Sequence, residues 1–293
     1  MNTNLENYIK ILLKEKFEEI NPNAIYISEN GKLSYYLSKL NDNLYVPMNE
    51  DILKQYNDGN GNEISSKKMN AIHSSSALSY NIFHDNSCML KNNNYNLSDG
   101  IYKVTFEKKF PVLKTPANID VILDKCNSTE YIAIEMKMLE WLRKKSNLSD
   151  SYLDENKYLD LKSGKIFAEI AKKLKQLSLH YDADQLFRHS VGLYKACKIG
   201  LINNKNKITL MNCVWTVVNH NKLTEPFKTE YCAKENNLFN EFKEFKKIMT
   251  PVFDLFKEIN IEFDICIFTV SELINILFKT EDEIMYLQRY IIN

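Results

Sequence analysis

Apolar residues recur along this chain with two different periods, and the alternation between them predicts a mixed α/β fold. Met1 to Lys16 sets apolar positions at helical intervals among Lys and Glu, which predicts an amphipathic helix. Ser74 to Phe83 does the same with Ala77, Leu78, Ile82 and Phe83, and its serines are placed to cap the start. Asn57 to Asn62 is rich in turn residues, and Lys91 to Gly100 is the most loop-like stretch of all. Ile101 to Phe106 then alternates Tyr102, Val104 and Phe106 with polar residues, the period of a strand. Two short Val/Ile-rich runs follow, Ile119 to Leu123 and Tyr131 to Lys137, joined by the polar turn Asp124 to Glu130; together they predict a hairpin. Gly164 to Ser178 and Ala183 to Ile199 read as helices, and Lys207 to Val218 as a buried strand. Asn237 to Lys257 reads as a charged helix and Ile261 to Val270 as a strand. Ser271 to Ile292 reads as a last helix, with Ser271 as its N-cap. This order implies one central mixed sheet flanked by helices. Residues 1–56 are expected to form an N-terminal helical region, and residues 57–293 the main domain with a C-terminal helical extension.

Composition narrows the class. At 293 residues and 44% hydrophobic content the chain can bury a substantial core. No run of about eighteen apolar residues occurs, and the N-terminus lacks the basic start, apolar block and cleavage site of a secretory leader. A cytoplasmic protein is expected. Six cysteines, Cys88, Cys126, Cys197, Cys213, Cys232 and Cys266, are widely spaced with no C-x-x-C pair, which argues against a zinc ribbon or a disulfide scaffold. Arg143, Arg188 and Arg289 are the only arginines, and the lysine excess beside abundant Asn and Ile matches the coding bias of an AT-rich genome.

A formal net charge of zero counts at first against a nucleic-acid partner. Its distribution softens the objection. Lys137 to Lys207 holds 15 Lys+Arg against 8 Asp+Glu, whereas Asn221 to the C-terminus holds 9 against 13. Solvated helix lysines explain the excess as well as a phosphate-binding face does.

The chemistry concentrates in the hairpin. Residues two apart on a strand share a face, so Glu135 and Lys137 project together, opposite Ile134 and Met136. Tyr131 to Ile134 is almost wholly apolar, as in a strand buried on both faces. A carboxylate and an ammonium at the end of such a strand are costly unless paired or bound to a metal. Antiparallel pairing brings Asp120, at the start of the other strand, beside them. Two such carboxylates suit one hard cation such as Mg²⁺, and a lysine beside them can hold a water for attack on phosphorus.

Asp120 followed across a short hairpin by Glu135-Met136-Lys137 is similar to the signature of the PD-(D/E)XK, restriction-endonuclease-like superfamily, with Ile119 standing where the family name has proline. Two flanking segments resemble a bacterial branch of that superfamily whose members are labelled restriction endonucleases. One is Gly59 to Glu63 with Lys68 to Phe83; the other is Tyr181 to His189. The resemblance implies a restriction-endonuclease-like fold in which residues 57–293 form the nuclease domain. It further implies a Mg²⁺ (or Mn²⁺) site on Asp120, Glu135 and the Met136 carbonyl, and a catalytic Lys137.

From the residues themselves, Glu63 can add a carboxylate, though a surface glutamate beside a turn explains it somewhat better. Gln185 and His189 share a helix face. Gln185 can orient Lys137 or a water, and Arg188 or His189 can meet a phosphate; a structural role for His189 fits as well. Lys172, Lys173 and Lys175 on one helix are candidates for the DNA backbone. His73, His84, His180 and His220 show no metal-ligand spacing, and Ser74 to Ser76 suit helix capping better than nucleophilic catalysis. The expected activity is metal-dependent cleavage of double-stranded DNA, in restriction or phage defence. The sequence does not set the oligomeric state, although cutting both strands often requires two active sites, which a homodimer would supply. A repair or structure-specific nuclease, an RNA nuclease, and a non-enzymatic interaction module whose hairpin charges only pair with one another remain open.

Overall fold

Six strands form one sheet whose spatial order is the order of the chain. They are β1 (Ser87–Leu90), β2 (Gly100–Phe110), β3 (Ala117–Lys125), β4 (Glu130–Lys137), β5 (Lys207–Val214) and β6 (Glu262–Thr269) in the computed structural model. The structure describes residues 4–27, 34–59, 62–91, 95–125, 127–143, 148–177, 179 and 181–293. Asn60 and Gly61, the centre of the 91–100 loop, Cys126, Ser178 and His180 therefore lie outside the described residues. β1 to β4 are antiparallel neighbours, and β4, β5 and β6 run parallel. Parallel neighbours need long crossovers, and the chain supplies them as helices. Between β4 and β5 run α4 (Leu161–Leu177) and α5 (Ala183–Lys198); between β5 and β6 run α6 (Phe227–Ile248) and α7 (Thr250–Lys257). This is the mixed α/β architecture that the two periods imply.

Ahead of the sheet come α1 (Leu5–Ile20), α2 (Glu50–Asp58) and α3 (Ser75–Phe83). In α1 the side chain of Asn4 accepts from the Asn7 amide at 2.9 Å, and Leu5, Ile9, Leu13 and Phe17 form the buried stripe. Burying each such side chain stabilises by roughly 1.5–3 kcal/mol. Arg289, near the C-terminus, lies 4.1 Å from the Phe17 ring centroid and donates to the backbone and side chain of Asn43. Leu5, Ile9, Leu13, Phe17, Leu37, Leu44, Ile52 and Tyr56 thus share one hydrophobic core with the sheet and the C-terminal segment.

Three expected elements differ in extent. The 207–218 strand ends at Val214. The 237–257 helix starts at Phe227 and is interrupted at Met249, where Pro251 opens α7. The C-terminal helix is capped by Thr269 rather than Ser271: Thr269 and Glu272 close a capping box at the start of α8 (Val270–Ile276). It then stops, because Leu277 bridges Leu90 and the amide of Phe278 donates to the Met89 carbonyl at 2.8 Å. Pairing with the edge strand β1 overrides helical periodicity there, and a second short helix, α9 (Glu281–Leu287), follows.

Candidate active site

The strand register assembles the site. Val121 pairs with Ile134, so the next step along the ladder sets Asp120 beside Glu135. Phe106 pairs with Val121 and Lys108 with Ile119, which leaves Glu107 facing Asp120 from the other side. Glu107, Asp120 and Glu135 therefore form one row of carboxylates across three neighbouring strands. They line a cavity of about 320 Å³ together with Glu63, Ser75, Ser76, Asn118, Lys137, Gln185, Arg188 and His189.

Each carboxylate is held differently. Asp120 Oδ2 accepts from the Met136 amide at 2.7 Å, so the side chain takes the place of a ladder bond at the end of the hairpin. Met136 itself is fully buried. Glu135, 1% exposed, receives Lys137 Nζ on Oε1 at 2.8 Å and His189 Nε2 on Oε2 at 2.8 Å. Glu107 takes a hydrogen bond from Asn118 and has φ of +52°, a left-handed conformation that costs a non-glycine residue free energy. Its neighbours accommodate it: Gln55 accepts the Phe106 amide at 2.7 Å, and a Cβ on Gly59 would come within 3.1 Å of the Glu107 carboxylate.

Electrostatics follows from this crowding. Burial, then the negative charges of Glu135 and Glu107, push Asp120 well above the usual carboxylate range, against Lys137 and the Met136 amide. Burial pushes Glu107 up to about 7, with Glu135 and Glu63 adding to it against the Asn118 bond. For Glu135 burial works in the same direction but loses to Lys137 and His189, which bring it down to about 2. Lys137 is itself desolvated, yet Glu135, Asp182, Glu140 and Asp120 raise it above the ordinary lysine value. Its ammonium is fixed by Glu135, by Gln185 Oε1 at 2.6 Å and by Asp182 Oδ2 at 3.5 Å.

Of the residues singled out in the sequence, Glu63, Asp120, Glu135, Lys137, Gln185, Arg188 and His189 line this one cavity. His189 is 2% exposed and faces Glu135, so its place is behind the carboxylate rather than against a phosphate. Glu63 also meets Lys68 Nζ at 3.4 Å. Lys172, Lys173 and Lys175 do not join the cavity: all three are exposed on α4, with Lys175 paired to Asp150. Ser74 caps α3, as its position implies, while Ser75 and Ser76 also reach the cavity wall. Glu107, Asn118 and Asp182 have no counterpart in the sequence reading. Glu107 falls in the polar phase of the β2 alternation with Lys103 and Thr105, so the pattern does not single it out.

Among the described residues no group of three or more His, Cys, Asp or Glu side chains stands arranged as a ready metal site. The donor chemistry nonetheless fits a hard divalent ion. The row is all oxygen, and a cation would relieve both the burial and the crowded negative charge that raise Asp120 and Glu107. Mg²⁺ commonly takes only one or two carboxylates and keeps several waters.

Residues 12–253 match the model of a family described as Restriction Endonuclease associating with ARP. The chain belongs to that family. No curated protein and no solved structure matches it. The match spans the whole β3–β4 hairpin and α5, and the family's nuclease character implies a nucleic-acid substrate. No helix among the described residues is long and apolar enough to cross a membrane.

Proposed function

We propose that this restriction-endonuclease family member is a metal-dependent DNA endonuclease of the PD-(D/E)XK type, acting in restriction or phage defence. The observation that carries the reading is the cross-strand row of Glu107, Asp120 and Glu135 with Lys137 fixed beside it. Buried acids held at such electrostatic cost favour a working site over an interaction module whose charges only pair with one another.

Asp120, Glu135 and the Met136 carbonyl would hold Mg²⁺ or Mn²⁺, with Glu107 or Glu63 as a further carboxylate. The bound cation supplies Lewis-acid stabilisation of the charge that develops on the phosphoryl oxygens. Lys137, held as a cation, orients the attacking water and adds positive charge beside the phosphorus. Gln185 and Asp182 set the position of that ammonium, and His189 fixes the Glu135 carboxylate through Oε2. Arg188, on the cavity wall, meets the phosphate, and the exposed lysines of α4 take the DNA backbone farther from the cut. Cutting both strands calls for a second copy of the chain. Association with ARP is extended to this chain from its family description.

Incubation with plasmid DNA, methylated and unmethylated in parallel, tests the reading. Nicking or linearisation that requires Mg²⁺ or Mn²⁺ is expected. Intact DNA across both metals, with single-stranded DNA and RNA also untouched, would overturn it.

A further inference from the structure

We infer that a second cavity beside the catalytic one receives a single unstacked base of the DNA, adjacent to the phosphate being cut. The inference rests on the nuclease reading above and names its substrate more closely. This cavity measures about 500 Å³, against 320 Å³ for the catalytic one, and is large enough for a small planar ligand. Thr115, Gln185 and Arg188 line both, so the two are compartments of one cleft. Leu113, Leu148 and Tyr152 contribute apolar surface to its lining, against which a flat ring can pack.

Charge and burial together decide which part of a nucleotide enters. Asp182 and Asp184 line the cavity, each only 9% exposed. Two buried carboxylates repel a phosphate but accept hydrogen bonds from the N–H groups of a base edge. Two cations line the same cavity but are more open to solvent or to the catalytic side: Lys114 is exposed, and Arg188 is shared by the two compartments, its buried Nε without a hydrogen-bond partner. The backbone is thus directed along Arg188 and Lys114 while the base turns inward.

Occupancy reaches the catalytic lysine directly. Asp182 and Gln185, which hold Lys137 Nζ at 3.5 and 2.6 Å, are also walls of the second cavity. A base bonded to them resets the position of Lys137, so cutting is coupled to having a base in the pocket. A stacked, paired base cannot reach it. Extrusion costs unpairing and unstacking, and least where the nucleotide is mismatched or already unpaired. The preferred substrate is therefore DNA carrying an unpaired nucleotide at the cut.

The test compares a short, fully paired duplex with the same duplex carrying one unpaired nucleotide. Wild type is expected to cut the second faster by on the order of tenfold or more. Ser151→Trp and Ser149→Trp, each filling the cavity, should bring the ratio close to one; thermal melts identify whichever variant keeps its fold. The same two DNAs are also bound, without added metal, to Lys137→Ala protein and followed by fluorescence anisotropy. The unpaired duplex should bind tighter, and the Ser151→Trp change should remove the difference. Equal rates and equal affinities for the two DNAs would overturn the base pocket and leave the nuclease reading standing, as would a preference that survives a folded Trp variant. No cutting of any DNA, with a binding preference that the Trp change abolishes, would overturn the nuclease reading and keep the pocket.

Discussion

Replacing Glu107 by Gln should make the protein more stable above neutral pH while disabling it. Glu107 is 7% exposed, and its carboxyl is pushed up from 4.5 to about 7, mainly by burial and then by neighbouring carboxylates. A raised acid holds its proton in the folded state while the unfolded chain has already released it. Stability therefore falls as pH rises from about 4.5 through 7, and the whole penalty is present above 7. A shift of about 2.5 units at 1.36 kcal/mol each gives a penalty of about 3 kcal/mol. Gln has nearly the same shape, keeps an oxygen for Asn118 and carries no charge. The variant and the wild type should then match near pH 4 and diverge to about 3 kcal/mol by pH 8. For a chain of this size that is on the order of 6–10 °C in Tm. Thermal melts in chelator from pH 4 to 8 measure it directly. Added Mg²⁺ should narrow the gap by stabilising the wild type, because an ion that binds only the folded state adds to its stability. A difference independent of pH, or a variant less stable than wild type at pH 8, would refute the reasoning. It would mean that Glu107 is already compensated by a partner within the fold.

Other consequences follow from the same geometry. Lys137→Ala should lower cleavage by about 10²–10⁴-fold, as loss of a water-orienting group does; activity within a few-fold of wild type in steady-state assays would exclude it from the mechanism. His189→Ala should cost roughly 10–100-fold through a misplaced Glu135, and His189→Gln, which offers an N–H at similar reach, should restore part of that; equal losses in both would point to a purely structural role. Arg188→Gln should reduce the slope of log affinity against log salt by about 0.9, the contribution of one phosphate, measured in Ca²⁺; an unchanged slope would place the phosphate elsewhere.

Much of the site was legible because it lies in local patterning. The apolar runs around Asp120 and Tyr131 to Lys137 announce a hairpin, and the two-residue period settles that Glu135 and Lys137 share a face. The four-residue step from Gln185 to His189 places both on one side of α5, and both reach the cavity. Glu107 was not legible in the same way. Its membership depends on the β2–β3 register, and the 111–116 connection, though bounded by Pro111 and Pro116, has no short hairpin turn whose length sets it. A one-residue slip would have turned the side chain to the other face. Its left-handed backbone adds a local departure that alternation does not foresee. The C-terminal helix was misread for a related reason: Leu277 and Phe278 pair with β1, a strand too short and too mixed in burial to show in the pattern. For the α4 lysines the pattern gave the charge but not the distance: the fold sets all three on an exposed helix face outside the cavity, where they can serve only a backbone farther from it.

The central claim is that the carboxylate row holds a divalent cation for DNA hydrolysis. Cleavage of plasmid DNA, titrated with Mg²⁺ for wild type and Asp120→Asn, tests it most directly. The account predicts no cutting in chelator, metal-dependent cutting by wild type, and none by Asp120→Asn at any Mg²⁺ concentration despite an unchanged fold. Metal-independent cutting, or full activity in the Asp120→Asn variant, would contradict it.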